Sequence, residues 1–212
     1  MVVLGVDLRS SSSHPSAVAE LDDDGTLTLL DAFSLDADLL ELAGRHQPAL
    51  IAIGTPLGLP EGMQCLEPVC QCCNAKAPRK RGREAELELA RMGISCFFTS
   101  RGSIIRKLVY RGVDLKNQLV KARHTVIETY PHATKVMLFG DKVPPKNSAR
   151  SLAYLRERLP ALVGGLDPHL AAVDKNACDA LLNAYTALLH RRKKTEVLGN
   201  PQEGEVVVPR QA

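Results

Sequence analysis

Apolar positions along the chain fall into short continuous runs and longer periodic ones. Val2 to Val6 (VVLGV) is a short apolar run rich in β-branched residues, the pattern of a buried strand. Polar Arg9 to His14 follows as a turn. Ser16 to Leu21 and Leu27 to Phe33 flank Asp22-Asp23-Asp24-Gly25, which predicts a hairpin. Asp36 to His46 places Leu39, Leu40, Leu42 and Ala43 at helical spacing behind an acidic first turn. Leu50 to Ile53 is a second buried strand, ended by Gly54-Thr55-Pro56. Three strands, a helix and a strand suit a mixed sheet whose fourth strand lies parallel to the first. Residues 60–82 break the pattern with prolines, cysteines and basic residues, and are expected to be an inserted loop. Arg83 to Met92 is expected to be helical, with Gly93 as its stop. Ser103 to Arg123 predicts a helix pair broken near Gly112, and Thr125 to Thr129 a strand ended by Tyr130-Pro131. Ser148 to Leu159 and Ala177 to His190 are amphipathic and expected to be helical. The expected fold class is α/β: a five-stranded mixed sheet flanked by helices, one domain over residues 1–212 with an insertion at 60–82.

Composition narrows the class. The 212 residues are 45% hydrophobic and 24% charged, as in a globular chain, and no apolar run reaches the ~18 residues of a membrane span. Met1 to Asp7 meets a charge too early for a signal peptide, so the expected location is cytoplasmic. Aromatic residues are only 4% of the chain and Trp is absent, which argues against base stacking on an aromatic platform. The net charge of +3 says little, but Lys76 to Arg83 holds five basic residues and no acid. Lys76, Arg79, Lys80, Arg81 and Arg83 are therefore candidate phosphate contacts; the commoner role of such a run is a solvated surface. Cys65, Cys70, Cys72 and Cys73 offer four thiolates within nine residues. A structural zinc ion would suit them and would order the insertion; the other reading is a reduced loop without metal.

Three acids fall at element ends. Asp7 closes the first strand, Glu128 lies at the end of a later one, and Asp179 sits in the first turns of the last long helix. The ends of parallel strands collect on one edge, where such sheets place their sites. Carboxylates gathered there repel one another unless a cation compensates, and oxygen ligands suit Mg²⁺ or Mn²⁺. The matching chemistry is two-metal phosphodiester hydrolysis. The alternative is that each acid is a helix cap or a solvated residue.

The segments VVLGVDL (2–8), IAIGTPLGLP (51–60), RGREAELELARMGI (81–94), VIETYP (126–131), DKNACDALLNA (174–184) and LGNPQEGEVVVP (198–209) resemble domain-of-unknown-function family 429. That resemblance implies a predicted nuclease of ribonuclease H-like fold, with Asp7, Glu128 and Asp179 as its catalytic, metal-binding acids. Members of the family usually carry Asp where this chain has Gly54, in an I-D-x-P-L segment that reads here Ile53-Gly54-Thr55-Pro56-Leu57. Either the remaining acids suffice, or Asp174 supplies the missing oxygen, or the site is impaired. The function expected is a Mg²⁺- or Mn²⁺-dependent nuclease acting on nucleic acid, with an impaired centre. The alternative is a non-catalytic nucleic-acid-binding protein of the same fold with a zinc-stabilised basic loop.

Overall fold

The computed structural model describes residues 1–11, 13–70, 82–140, 143–145 and 148–211. They form one mixed sheet of seven strands in the order β3-β2-β1-β4-β5-β7-β6. β1 (Val2–Asp7), β2 (Ser16–Asp22) and β3 (Leu27–Phe33) make an antiparallel meander. β4 (Leu50–Ile53) pairs parallel to β1, and β5 (Val126–Thr129) parallel to β4. β6 (Thr195–Asn200) and β7 (Gly204–Pro209) add a C-terminal hairpin whose second strand runs parallel to β5. This hairpin raises the strand count from the expected five to seven. Its first strand is an outer one in which Glu196, Gly199 and Asn200 interrupt the apolar pattern.

Among the described residues, six α-helices flank the sheet. α1 (Asp36–His46) and α3 (Arg106–Lys121) cover one face, where Leu39, Ala43, Leu115 and Leu119 pack on Leu4, Val6, Val18, Ile51 and Ile53. α5 (Ala149–Arg158) and α6 (Lys175–Arg191) cover the other, against Val3, Ala17, Ala19, Leu21, Leu50 and Ala52. α2 (Glu84–Arg91) packs beside β6 and β7, and α4 (Pro131–Phe139) lies between α6 and β7. Instead of breaking at Gly112, α3 runs straight through it. The glycine serves a close approach, since a β-carbon there would lie 2.6 Å from Thr55 Cγ2 and 3.0 Å from the Pro56 carbonyl oxygen. α4 begins directly at Pro131, whose missing N–H costs nothing in the first turn of a helix.

The contact that places α6 is made of small residues. Ala177, Ala180, Ala184 and Ala187 recur at helical spacing and are all buried toward the sheet. Beneath them lies Gly5 in the middle of β1. A β-carbon at Gly5 would stand 2.0 Å from the Ala184 nitrogen and 2.3 Å from the Ala180 oxygen, so helix and strand meet backbone to backbone. Gly5→Ala therefore has no flexible neighbour to displace. We expect it to cost about 3 kcal/mol, the upper end of ordinary overpacking, measured as a lower urea midpoint. Wild-type stability in this variant would show that α6 does not sit this close.

Candidate functional site

The C-terminal ends of β1, β4 and β5 share one edge because the three strands are parallel. Side chains alternate between faces along each strand, so parity decides which acids can meet. Val3, Gly5 and Asp7 point toward α6, and Asp7 is paired across the ladder with Ala17 of the α6-side core. Arg9 Nη1 reaches Asn176 Oδ1 at 3.4 Å, which sets the first turns of α6 above the end of β1. Asp179, nearly buried on those turns, shares this face with Asp7. Its Oδ1 accepts a hydrogen bond from Lys135 Nζ of α4, and both side chains are less than one-tenth exposed.

Asn183 lies one turn further along α6 and is fully buried. Its Nδ2 donates to the Val6 carbonyl at 2.8 Å, and its Oδ1 accepts from Thr129 Oγ1 at 2.9 Å. The amide thereby bridges β1 and β5 across the end of β4. A β-carbon at Gly54 would lie 2.4 Å from that Nδ2 and 3.1 Å from Pro131 Cγ. The amide of Asn183 occupies the space that an acid at position 54 would need.

Glu128 does not join Asp7 and Asp179. On β5, Ile127 and Thr129 face α6, so Glu128 is turned to the opposite face with Val126. There it is buried, accepts from Leu57 N at 2.7 Å, and pairs with Arg83 through both Nη1 (2.7 Å) and Nη2. Arg83 is 1% exposed, so it is no phosphate contact. Its Nε donates to Glu86 Oε1 at 3.0 Å, and Glu86 also accepts from Thr99 N and Thr99 Oγ1. The two carboxylates outweigh burial and hold the Arg83 guanidinium above its ordinary value. Glu203 extends the cluster: Oε1 accepts from Glu61 N at 2.8 Å and Oε2 from Glu84 N at 2.7 Å.

Asp174 does not replace the acid missing at position 54. It is the N-cap of α6, its Oδ1 accepting from Ala177 N at 2.8 Å, and it borders a depression with Pro15, Leu30 and Asp31 on the β2–β3 side. Lys76, Arg79, Lys80, Arg81, Cys72 and Cys73 lie outside the described residues. The Sγ atoms of Cys65 and Cys70 are 2.7 Å apart, and Cys70 is disulfide-bonded and so offers no thiolate to zinc. Burial pushes the Cys96 thiol up to about 11. Burial and then the Asp179 charge push that of Cys178 up to about 12, so neither is a nucleophile near neutral pH.

An apolar-walled hollow of about 170 Å³ opens on this edge beside Gly54, Leu89, Phe97, Leu108 and Tyr130, with the Arg83–Glu128 pair as its polar wall. Tyr130 donates to the Ser95 carbonyl at 2.8 Å, and burial raises its phenol well above the usual range. Lys135 and Asn183 had no place in the sequence reading. Their signal is a lone cation between Ala133 and Met137 and an amide among the alanines and leucines of residues 180–189.

Two stability tests separate these roles. Arg83→Met leaves Glu86 and Glu128 buried without their cation and should cost about 3–5 kcal/mol by chemical denaturation. Arg83→Met with Glu128→Met should recover part of that loss, Glu86 remaining buried without its cation, and no recovery at all would show that the Arg83–Glu128 pair is not a source of the effect. Gly54→Asp should destabilise by about 1–3 kcal/mol, because the new side chain meets a fixed amide. Adding Asn183→Ala should relieve part of this; equal stability of Gly54→Asp and wild type would show that Asn183 does not fill the space.

Two solved structures share the architecture. Thermus thermophilus RuvC is 15% identical with a TM-score of 0.50, the match covering 91% of this chain and 97% of that one. T. thermophilus RuvC in complex with Holliday junction substrate is 13% identical with a TM-score of 0.53, covering 91% and 96%. At such identities the likeness shows the fold, which is ribonuclease H-like. No curated protein matches the chain. The family model described as "Protein of unknown function (DUF429)" matches residues 5–204, and the chain belongs to that family.

Proposed function

We propose that this protein binds nucleic acid through a ribonuclease H-like fold and hydrolyses it poorly or not at all. The observation that carries this reading is the state of the carboxylate edge. Asp7 and Asp179 share a face, the third position is Gly54 under the Asn183 amide, and Asp179 already holds the Lys135 ammonium. Among the described residues no three His, Cys, Asp or Glu side chains come together as a metal ion would need. Such a donor set does not fit a pair of hard cations, which require several oxygen ligands and excess negative charge. The Mg²⁺ or Mn²⁺ expected from the sequence thus finds no suitable centre among these residues.

Support for nucleic acid as the partner comes from two sides. The related fold in RuvC is seen with a Holliday junction substrate. On this chain, exposed Arg9 and His14 border a hollow with Ile104 and Ile105, and exposed Arg101 and Lys107 bracket those isoleucines in sequence. Cations spread over a surface contact phosphates without reading bases.

Anisotropy titrations with four-way junction, duplex and single-stranded DNA and with RNA should show binding that weakens steeply with salt. Arg9→Glu combined with Lys107→Glu should weaken all forms alike and lower the log–log salt slope by about 0.9 per lost duplex phosphate contact. No binding to any of the four sinks the proposal. Robust Mn²⁺-dependent cleavage that Asp7→Asn abolishes would overturn the non-hydrolytic part and restore the nuclease reading.

A further inference from the structure

Two features of the hollow beside Gly54 call for an occupant. Its wall is mostly apolar, with Leu89, Leu108 and the rings of Phe97 and Tyr130, and Phe97 is 59% exposed. The Tyr130 ring is a fixed wall, since its hydroxyl donates to the Ser95 carbonyl. Thr55 lines the hollow too. It is 2% exposed, and its Oγ1 has no hydrogen-bond partner among the described residues. A buried hydroxyl without a partner is a standing cost to the fold, recovered when a ligand bonds it. Apolar walls with a few convergent polar groups are the usual make-up of a small-ligand site.

The chemistry of the walls selects the occupant. Arg83 is set against the carboxylates of both Glu86 and Glu128, so the polar wall carries no net positive charge for an anion. An alkyl chain would leave the Thr55 hydroxyl unbonded. A neutral planar ring with a polar edge meets both conditions. A cavity of about 150 Å³ holds one benzene ring. The hollow, at about 170 Å³, therefore admits one six-membered ring with its exocyclic atoms and not a fused pair. Ile105 and Leu108 line both this hollow and the neighbouring one of Arg9 and His14, which puts the opening beside the cations offered to phosphates. We propose that the hollow receives the ring of one unpaired pyrimidine of a bound strand, with Thr55 hydrogen-bonding its edge and Phe97 covering its face. This deepens the reading of a nucleic-acid-binding protein and rests on it. Scarce aromatic residues argue against an extended stacking platform, whereas a slot for one base needs only these two rings.

The test compares DNA duplexes that differ at one position: fully paired, with one unpaired thymine, with one unpaired adenine, and with an abasic residue replacing the unpaired base. Anisotropy titrations of the full chain should show at least about tenfold tighter binding to the unpaired thymine than to the abasic or paired duplex, and a smaller gain for adenine. Phe97→Ala, at an exposed position, should cut the thymine preference about fivefold or more. Thr55→Val should remove most of it while melting no lower than wild type, because the hydroxyl it loses has no partner in the protein. Arg9→Glu with Lys107→Glu should weaken all four duplexes alike and leave the preference intact. Free thymidine, followed by saturation-transfer nuclear magnetic resonance, should bind at least about a hundredfold more weakly than the thymine duplex, since it lacks the phosphate contacts. Free thymidine as tight as the duplex would make the occupant a free nucleoside and overturn the strand as its source. Equal binding of thymine and abasic duplexes overturns the inference and leaves nucleic-acid binding standing, whereas failure of all four duplexes overturns both. A preference that both Thr55→Val and Phe97→Ala retain places the base elsewhere and overturns the inference as well. Should Thr55→Val melt below wild type, its hydroxyl is bonded inside the protein and the role of Thr55 is overturned.

Discussion

Everything at the candidate site depends on how close α6 can come to β1. Had position 5 carried a side chain, the helix would stand off by the width of a methyl group or more. The Asn183 amide could then no longer reach the Val6 carbonyl across the strand. The alanine stripe on the helix and the glycine on the strand are one adaptation seen from two sides. It fixes the height of Asp179 above Asp7 and sets the amide beside Gly54. Tight packing of this kind transmits small shifts rather than absorbing them, so the chemistry of the edge is governed by residues that carry no charge.

Against that frame, two ion clusters divide the edge between the two faces of the sheet. On the α2 side, one guanidinium serves two carboxylates, and the backbone and Thr99 satisfy the remaining oxygens. Arginine suits this role because its planar fork meets a carboxylate with two bonds at once. On the α6 side, one ammonium serves one carboxylate. Both clusters neutralise acids that the sequence offers as metal ligands. The structure uses them as cross-links between elements far apart in the chain: α2 to β5 in one case, α4 to α6 in the other.

Much of this was legible in the sequence, and the exceptions have physical causes. The strand runs at residues 2–6, 50–53 and 125–129 stand out because buried strands are apolar on both faces. Asp7 was legible as the polar residue that ends the first such run, and Asp179 as an acid on the helix packed against it. Glu128 was misplaced because position at a strand end says nothing about parity: counting from Ile127, packed with α6, puts Glu128 on the far side. Gly112 was misread because a glycine in a helical run signals either a break or a close approach, and only the loop at Thr55 and Pro56 tells which. The loss of an acid at Gly54 was plain, whereas its filling by Asn183 depends on a contact across 129 positions of chain.

The role of Glu203 bears on how the chain is held. Its two carboxylate oxygens hold the amides of Glu61 and Glu84, so the polypeptide leaves the sheet and returns to it at the same side chain. The cost of closing a flexible loop between fixed ends grows only with the logarithm of its length, about 0.6 kcal/mol per doubling. A segment anchored in this way has its two ends fixed by one side chain rather than by the length of chain between them: the Glu203 carboxylate sets Glu61 and Glu84 side by side, and so also sets where Arg83, next to Glu84, enters the buried ion cluster.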